Sequence, residues 1–362
     1  MKEVPATVRR SIELLGLCAL AYVLSTARDI VGPILMAFFL SILLLPIYRL
    51  LRRWKVPEIV AILLSIAVAA LVLAGVIWFF SRQIALLLSD IPEIQKNLNL
   101  HWQSISVWIN DKTNFSSQQQ IELLRTQSQN LIGNAGGYLS GAALTLTGVF
   151  VFVGLLPIYT FLIMYYKNLL LKFVFLWFKP EQHPTVQTTL TEAERIIMSY
   201  LVGLTIQITY ITVLLGGLLA VLGIKHALLI GVVFAFLNLI PYVGALIGNV
   251  IGVLLTLTSS QSLMPIFLVL GAIAAVQFLD NNILMPRIVG SKVRLNALAS
   301  ILGVVIGGSL AGVMGMFLSL PVMAVLKIIF DNSVSFRQWG VLLGDEKPAR
   351  SPMFAPRKKN RS

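Results

Sequence analysis

Charge is scarce in this chain: only 12% of its 362 residues are Asp, Glu, Lys or Arg, where a soluble domain carries roughly a quarter. That shortage excludes a water-soluble fold. The 57% hydrophobic content and mean hydropathy of +0.86 make lipid the solvent. Cysteine is nearly absent as well. Cys18 stands alone, so no internal disulfide forms and no thiolate metal set exists; it reads as a small apolar helix residue. No Ser/His pair, His-x-x-x-His or paired acidic motif occurs in the hydrophobic stretches, and no Walker A loop occurs anywhere. The chain is therefore read as neither an enzyme nor directly ATP-driven, with no metal site and no cofactor.

What is present is a series of uncharged runs: 30–48, 59–80, 142–166, 196–224, 227–279 and 295–326. About 20 apolar residues cross roughly 30 Å of hydrocarbon, and each run is at or above that length. An earlier segment, 11–27, contains Glu13 but carries Leu14, Leu15, Leu17, Leu20 and Val23, and it too reads as a membrane helix. A cleaved signal peptide is the competing reading, but Arg28 and Asp29 follow in place of a small-residue cleavage site.

The net charge of +13 does not indicate nucleic acid. Arg49, Arg52, Arg53 and Lys55 lie between two hydrophobic runs, and Arg357, Lys358, Lys359 and Arg361 lie in the C-terminal tail. Basic residues so placed mark cytoplasmic segments, and the tail can meet anionic lipid headgroups. Threading from these loops puts both termini in the cytoplasm and 81–141 outside. In that segment Arg82, Lys96, Lys112 and Arg125 balance Asp90, Glu93, Asp111 and Glu122. Its apolar residues recur at helical spacing and a capping box begins at Ser117. An amphipathic helical extracytoplasmic insertion is expected, with Trp102 and Trp108 at the interface. A cysteine at Ser117 is thus expected to react from outside and one at Ser291 from inside. His226, at a helix boundary, reads as an interfacial residue.

Two runs cannot be single crossings. The 53 uncharged residues of 227–279 would extend about 80 Å as one helix. Pro241, Gly244 and Gly248 mark a fold, and 259–262 with Pro265 mark the next. The run 295–326 begins and ends beside basic cytoplasmic residues, with its turn near Gly307, Gly308, Gly312 and Gly315. The fold class is then an all-α membrane protein with about six spanning helices and two opposed hairpins, 227–260 and 295–326, about eight hydrophobic segments in all. The expected organisation is a three-helix region (1–80), the insertion (81–141), a core (142–330) with cytoplasmic helices over 167–195, and a basic tail (331–362). Helix 190–195 is expected to be separate from the crossing at Ile196. Broken helices at membrane depth are the best sequence pointer to a transport site.

Asn238 lies three positions before Pro241 in an apolar run, where an unpaired amide is costly; it either meets solute or caps the broken helix. Gln277 shares a helical face with Asp280 and Asn281. Asp280 is the only acidic residue between Glu194 and Asp331, and an ionisable residue in a membrane helix marks function, unless it pairs with Arg287 or Arg294. The Gly303–Gly307 and Gly308–Gly312 spacings indicate close helix packing.

Together, Ser199-Tyr200-Leu201-Val202-Gly203, Phe236-Leu237-Asn238-Leu239-Ile240-Pro241-Tyr242-Val243-Gly244, Asp280-Asn281-Asn282 followed by Pro286-Arg287-Ile288-Val289-Gly290, and Gly312-Val313-Met314-Gly315 before Pro321 resemble the autoinducer-2 exporter family over nearly the whole chain. Relatives often carry Arg and Gln around the Tyr200 motif, where this chain has Val202 and Leu204. The resemblance implies a secondary transporter of the bacterial inner membrane exporting a small polar solute such as autoinducer-2. It implies a homo-oligomer, for which a pentamer is one form it allows. Some members resemble sodium or lithium/proton antiporters, which is the alternative; a non-transporting scaffold or accessory subunit is a third. The solute or ion path is expected at Asn238, Pro241, Gly244, Gln277, Asp280, Asn281 and Asn282. Tyr200, Gly203, Pro286, Arg287, Gly290, Gly312, Gly315 and Pro321 are expected to be structural.

Overall fold

A computed structural model describes residues 22–90, 154–240, 243–284, 295–333 and 336–345, with positions 11, 15, 16, 19, 92, 93, 96, 97, 100 and 287. Cys18, most of the 81–141 insertion, Pro241, Pro286, Gly290, Ser291, Arg294 and the tail from 346 lie outside these residues.

Helix α1 (Arg28–Arg53) and α2 (Glu58–Ser89) form an antiparallel pair. The basic loop between them closes tightly because Lys55 adopts φ 62° and the Val56 amide donates back to the Leu51 carbonyl at 3.2 Å. At 32 residues α2 is about 48 Å long, beyond the roughly 30 Å of hydrocarbon, and exposes Leu71, Val72 and Trp78 along its length. Helix α3 (Gly154–Tyr165) bends by 63° into α4 (Lys167–Leu176). After a 3-10 turn at Pro180–Gln182 comes α5 (His183–Val221), unbroken over 39 residues.

The expected break near Ile196 is therefore corrected. Glu192, Glu194 and Arg195 mark where water begins, which charge can report, and not where the helix ends. The threonines that could have broken it instead donate to carbonyls four residues back, Thr188 to Pro184, Thr189 to Thr185 and Thr191 to Gln187. Arg49 meets Glu194 at 2.6 Å and so ties the α1 end to this part of α5.

Helices α6 (Ala227–Leu237) and α7 (Val243–Ser259) form the first hairpin. Glycines on α7 face α6 in register. A Cβ on Gly244 would overlap the Leu237 carbonyl, and one on Gly248 would lie 2.6 Å from the Phe234 ring. Helix α8 (Met264–Leu279) runs into a π-helical turn, Asp280–Leu284. Helix α9 (Ala297–Asp331) is continuous only in hydrogen bonding: Ala311 and Gly312 leave helical geometry, Gly312 at φ 60° and ψ −144°. Its legs fold together, with Gly303 against Met323, Gly307 against Gly315 and Gly308 against Met316. This is the second hairpin, turning at Gly312. A last helix, α10 (Arg337–Leu343), docks on Asn296, whose side-chain amide donates to the Leu342 and Gly344 carbonyls while its carbonyl caps α9 at Ala299.

Five described helices are long and apolar enough to span a membrane, or six with the bent α3–α4 pair. One of them is α9, which the turn at Gly312 makes a hairpin. Helix α5 is the centre of the packing. Its C-terminal half buries Ile211, Leu215 and Leu219 against α6 and α8 through Ile230, Phe234, Val269 and Ile273. Its N-terminal half buries Ile197, Tyr200, Leu201 and Leu204 against Phe39 and Ile42 of α1 and Leu318 of α9. Gln207 falls between these two apolar clusters.

Candidate functional site

Apolar packing on both sides of Gln207 leaves a polar gap, and Asp280 fills it. At the end of α8 this carboxylate is only 2% exposed. Burying a charge is expensive unless hydrogen bonds compensate, and three neutral groups supply them. Gln207 Nε2 donates to Oδ2 at 2.9 Å, Asn238 Nδ2 donates to the same oxygen at 3.1 Å, and the Tyr210 hydroxyl donates to Oδ1. No cation pairs with Asp280 among the described residues. Arg287, one expected partner, is exposed; Arg294, the other, lies outside the described residues.

Asn238 closes α6 at the hairpin bend, and its side chain is spent on Asp280, not on the helix end. Its own carbonyl accepts from Gln277 Nε2 at 3.5 Å. Gly244 lets this bend close, since a Cβ there would also lie 2.5 Å from the Asn238 Cα. The groups enclose a cavity of about 560 Å³ whose polar lining includes Tyr200, Gln207, Asn238, Asn249, Gln277, Asp280 and Asn281. Leu239 of the first hairpin and Leu320 of the second close it on apolar sides. The bend of the first hairpin and the return leg of the second thus meet the same site.

Of the expected path residues, Asn238, Gln277, Asp280 and Asn281 converge. Asn282 does not join them: it is exposed and its Nδ2 donates to the Phe278 carbonyl at 2.9 Å. It was expected there as part of the Asp280-Asn281-Asn282 motif, and two positions along a helix from Asp280 its side chain points to another face. Tyr200 was expected to be purely structural; it is buried and also lines the cavity. Gly203 is buried one turn along α5, and Pro321 is buried in the return leg of α9. Gln207, Tyr210 and Asn249 were not singled out from sequence. Their signal was faint: isolated hydrogen-bonding side chains in apolar helices, where such groups seek partners.

A second polar cluster sits where α5 turns into α6. Lys225 Nζ lies 2.6 Å from Glu93 Oε2 and 3.2 Å from Asp90 Oδ2, and His226 Nε2 lies 3.4 Å from the same Asp90 oxygen. The Glu93 hydrogen bond, with help from Asp90, raises the Lys225 ammonium above its usual range. Burial pushes the His226 imidazole down, against the pull of Asp90 and Glu93. A depressed histidine is buried neutral, so its burial contributes fully above pH about 6.5, and that contribution is lost as pH falls through the folded value because the desolvation cost of the charged ring outweighs its attraction to Asp90. His226→Gln is expected to flatten the decline in thermal stability between neutral and mildly acidic pH. Equal slopes in both proteins would contradict this assignment.

Taken chemically, the main site can hold a small polar molecule by hydrogen bonds, and its carboxylate can exchange a proton or a monovalent cation. Comparisons with known proteins match the chain to transport proteins. The family described as AI-2E family transporter matches residues 12–335. The AI-2 transport protein TqsA of Escherichia coli (strain K12) is 26% identical over 325 residues, covering 88% of this chain and 90% of TqsA. Bacillus subtilis (strain 168) YrrI is 24% identical over 86% of this chain and 88% of its own length, and YueF is 27% identical over 88% of each.

Proposed function

The chain belongs to the AI-2E transporter family, and from that premise we propose that it is a secondary transporter exporting autoinducer-2 or a related small polar metabolite. The observation that carries the reading is the Asp280 carboxylate, buried among neutral donors with no cation beside it among the described residues, at a cavity lined by both hairpins. Coupling to protons or sodium, assembly as a homo-oligomer and residence in the bacterial inner membrane belong to the same proposal. So do cytoplasmic termini. The test is reconstitution into vesicles, following autoinducer-2 efflux and sodium-dependent proton movement in the same preparation. Solute efflux is expected. The absence of both fluxes removes the proposal.

Sodium (lithium)/proton antiport is the second reading, favoured by a buried carboxylate held only by neutral donors among the described residues. Sodium-driven proton flux without solute flux would select it. Orientation is tested separately with cysteines at exposed Ser89 and Thr188 in a Cys18→Ser background. An impermeant thiol reagent outside intact cells is expected to modify the first and spare the second. The reverse labelling would invert the proposed topology.

A further inference from the structure

An ionised carboxylate only accepts hydrogen bonds, so an amide beside it must turn its NH₂ inward. That requirement orders the whole cluster. Gln207 and Asn238 both donate to Asp280 Oδ2. Asn238 then presents its carbonyl to Gln277, which answers with its own NH₂. The order ends in two loose ends. Gln207 Oε1 and Gln277 Oε1 are buried and have no hydrogen-bond partner, although both residues line the cavity. Neither amide can reverse without setting oxygen against oxygen, Gln207 against the carboxylate and Gln277 against the Asn238 carbonyl. Unmet buried acceptors are costly, and an arriving donor would relieve them.

Building on the transport reading above, we infer that the cavity selects a neutral or cationic solute rich in hydroxyl or amine donors and rejects anions, with the carbonyls of Gln207 and Gln277 as the selecting groups. An anion entering here meets a carboxylate and two carbonyls, and among the described residues no Lys, Arg or His lines the cavity to receive it. The selection is conditional on Asp280 charge. Once protonated, Asp280 donates as well as accepts, the Asn238 and Gln277 amides are free to reverse, and the wall loses its acceptor surplus. Among the described residues the other titratable groups facing the site are Tyr210, which bonds Asp280, and Tyr200 in the cavity wall.

Occupancy can be read without transport. In a Cys18→Ser background, Ala274→Cys places a thiol in the cavity lining, and its modification by a small neutral maleimide is slowed by any occupant. The probes are xylitol and xylonate, matched in carbon number and differing by a terminal carboxylate. Xylitol is expected to halve the rate at about a tenth of the concentration xylonate needs, the scale of one or two hydrogen bonds. Gln277→Leu is expected to close most of that gap. Equal protection by the two probes, protection by neither, or an unchanged gap in Gln277→Leu overturns the inference. Autoinducer-2 flux in the same vesicles separates the two readings: flux without xylitol preference refutes the selection alone, and preference without flux refutes transport alone.

Discussion

Asp280→Asn is expected to abolish the dependence of transport on pH or sodium and to lower driven flux by about a hundredfold, the scale of losing two charge-assisted hydrogen bonds. The substitution keeps the size of the side chain and removes its charge. Asparagine offers one oxygen where Asp280 now receives Gln207, Asn238 and Tyr210 on two, and its NH₂ would face at least one of those donors. The cluster would repack as a neutral site that no longer exchanges a proton or cation. Downhill solute movement survives, because the cavity and both hairpins remain. Vesicle flux measured across pH and sodium steps decides it: full ion-dependent flux in the variant would make Asp280 a structural residue only.

The second large effect lies in the α9 hairpin. Gly307→Val or Gly315→Val is expected to force the legs apart, because a Cβ on either glycine overlaps the backbone carbonyl of the other. Backbone cannot step aside as a flexible side chain can, so the loss belongs at the upper end of the roughly 1–3 kcal/mol of an overpacked core. Transport should fall with it, since Leu320 of the return leg lines the cavity. Gly271→Ala is the control: nothing lies within 4 Å of its Cβ position, and it should be neutral or slightly stabilising, as alanine favours helix by up to about 1 kcal/mol. Thermal unfolding of the three purified variants compares them, and equal midpoints would show that the legs are not held by close backbone contact.

The first hairpin was legible in the sequence because physics leaves few options for 53 uncharged residues, and the second because its run begins and ends beside basic residues. Such a run must turn, and glycine and proline mark where. Gly312 shows how local that information is, since its positive φ is a conformation L side chains rarely adopt. Asp280 was legible by scarcity alone. Its partners were not. Gln207 and Tyr210 lie 73 and 70 positions away on a helix whose pattern is simply apolar, and only packing brings them to the carboxylate. The continuity of α5 was also hidden, because charges over 192–195 signal exposure to water while saying nothing about helix termination. Asn282 was expected on the path as part of the Asp280-Asn281-Asn282 motif, and its side chain instead donates to the Phe278 carbonyl, away from the cavity.

The central claim is that the cavity at Asp280 is on the transport path, and partial chemical block tests it most directly. In vesicles carrying Cys18→Ser, Ala274→Cys protein, autoinducer-2 efflux is measured as the cavity thiol is progressively modified by a maleimide, with the labelled fraction determined in the same samples. The account predicts that efflux falls in proportion to labelling and reaches the protein-free level when labelling is complete. Complete labelling with undiminished efflux would place the path elsewhere and contradict the account.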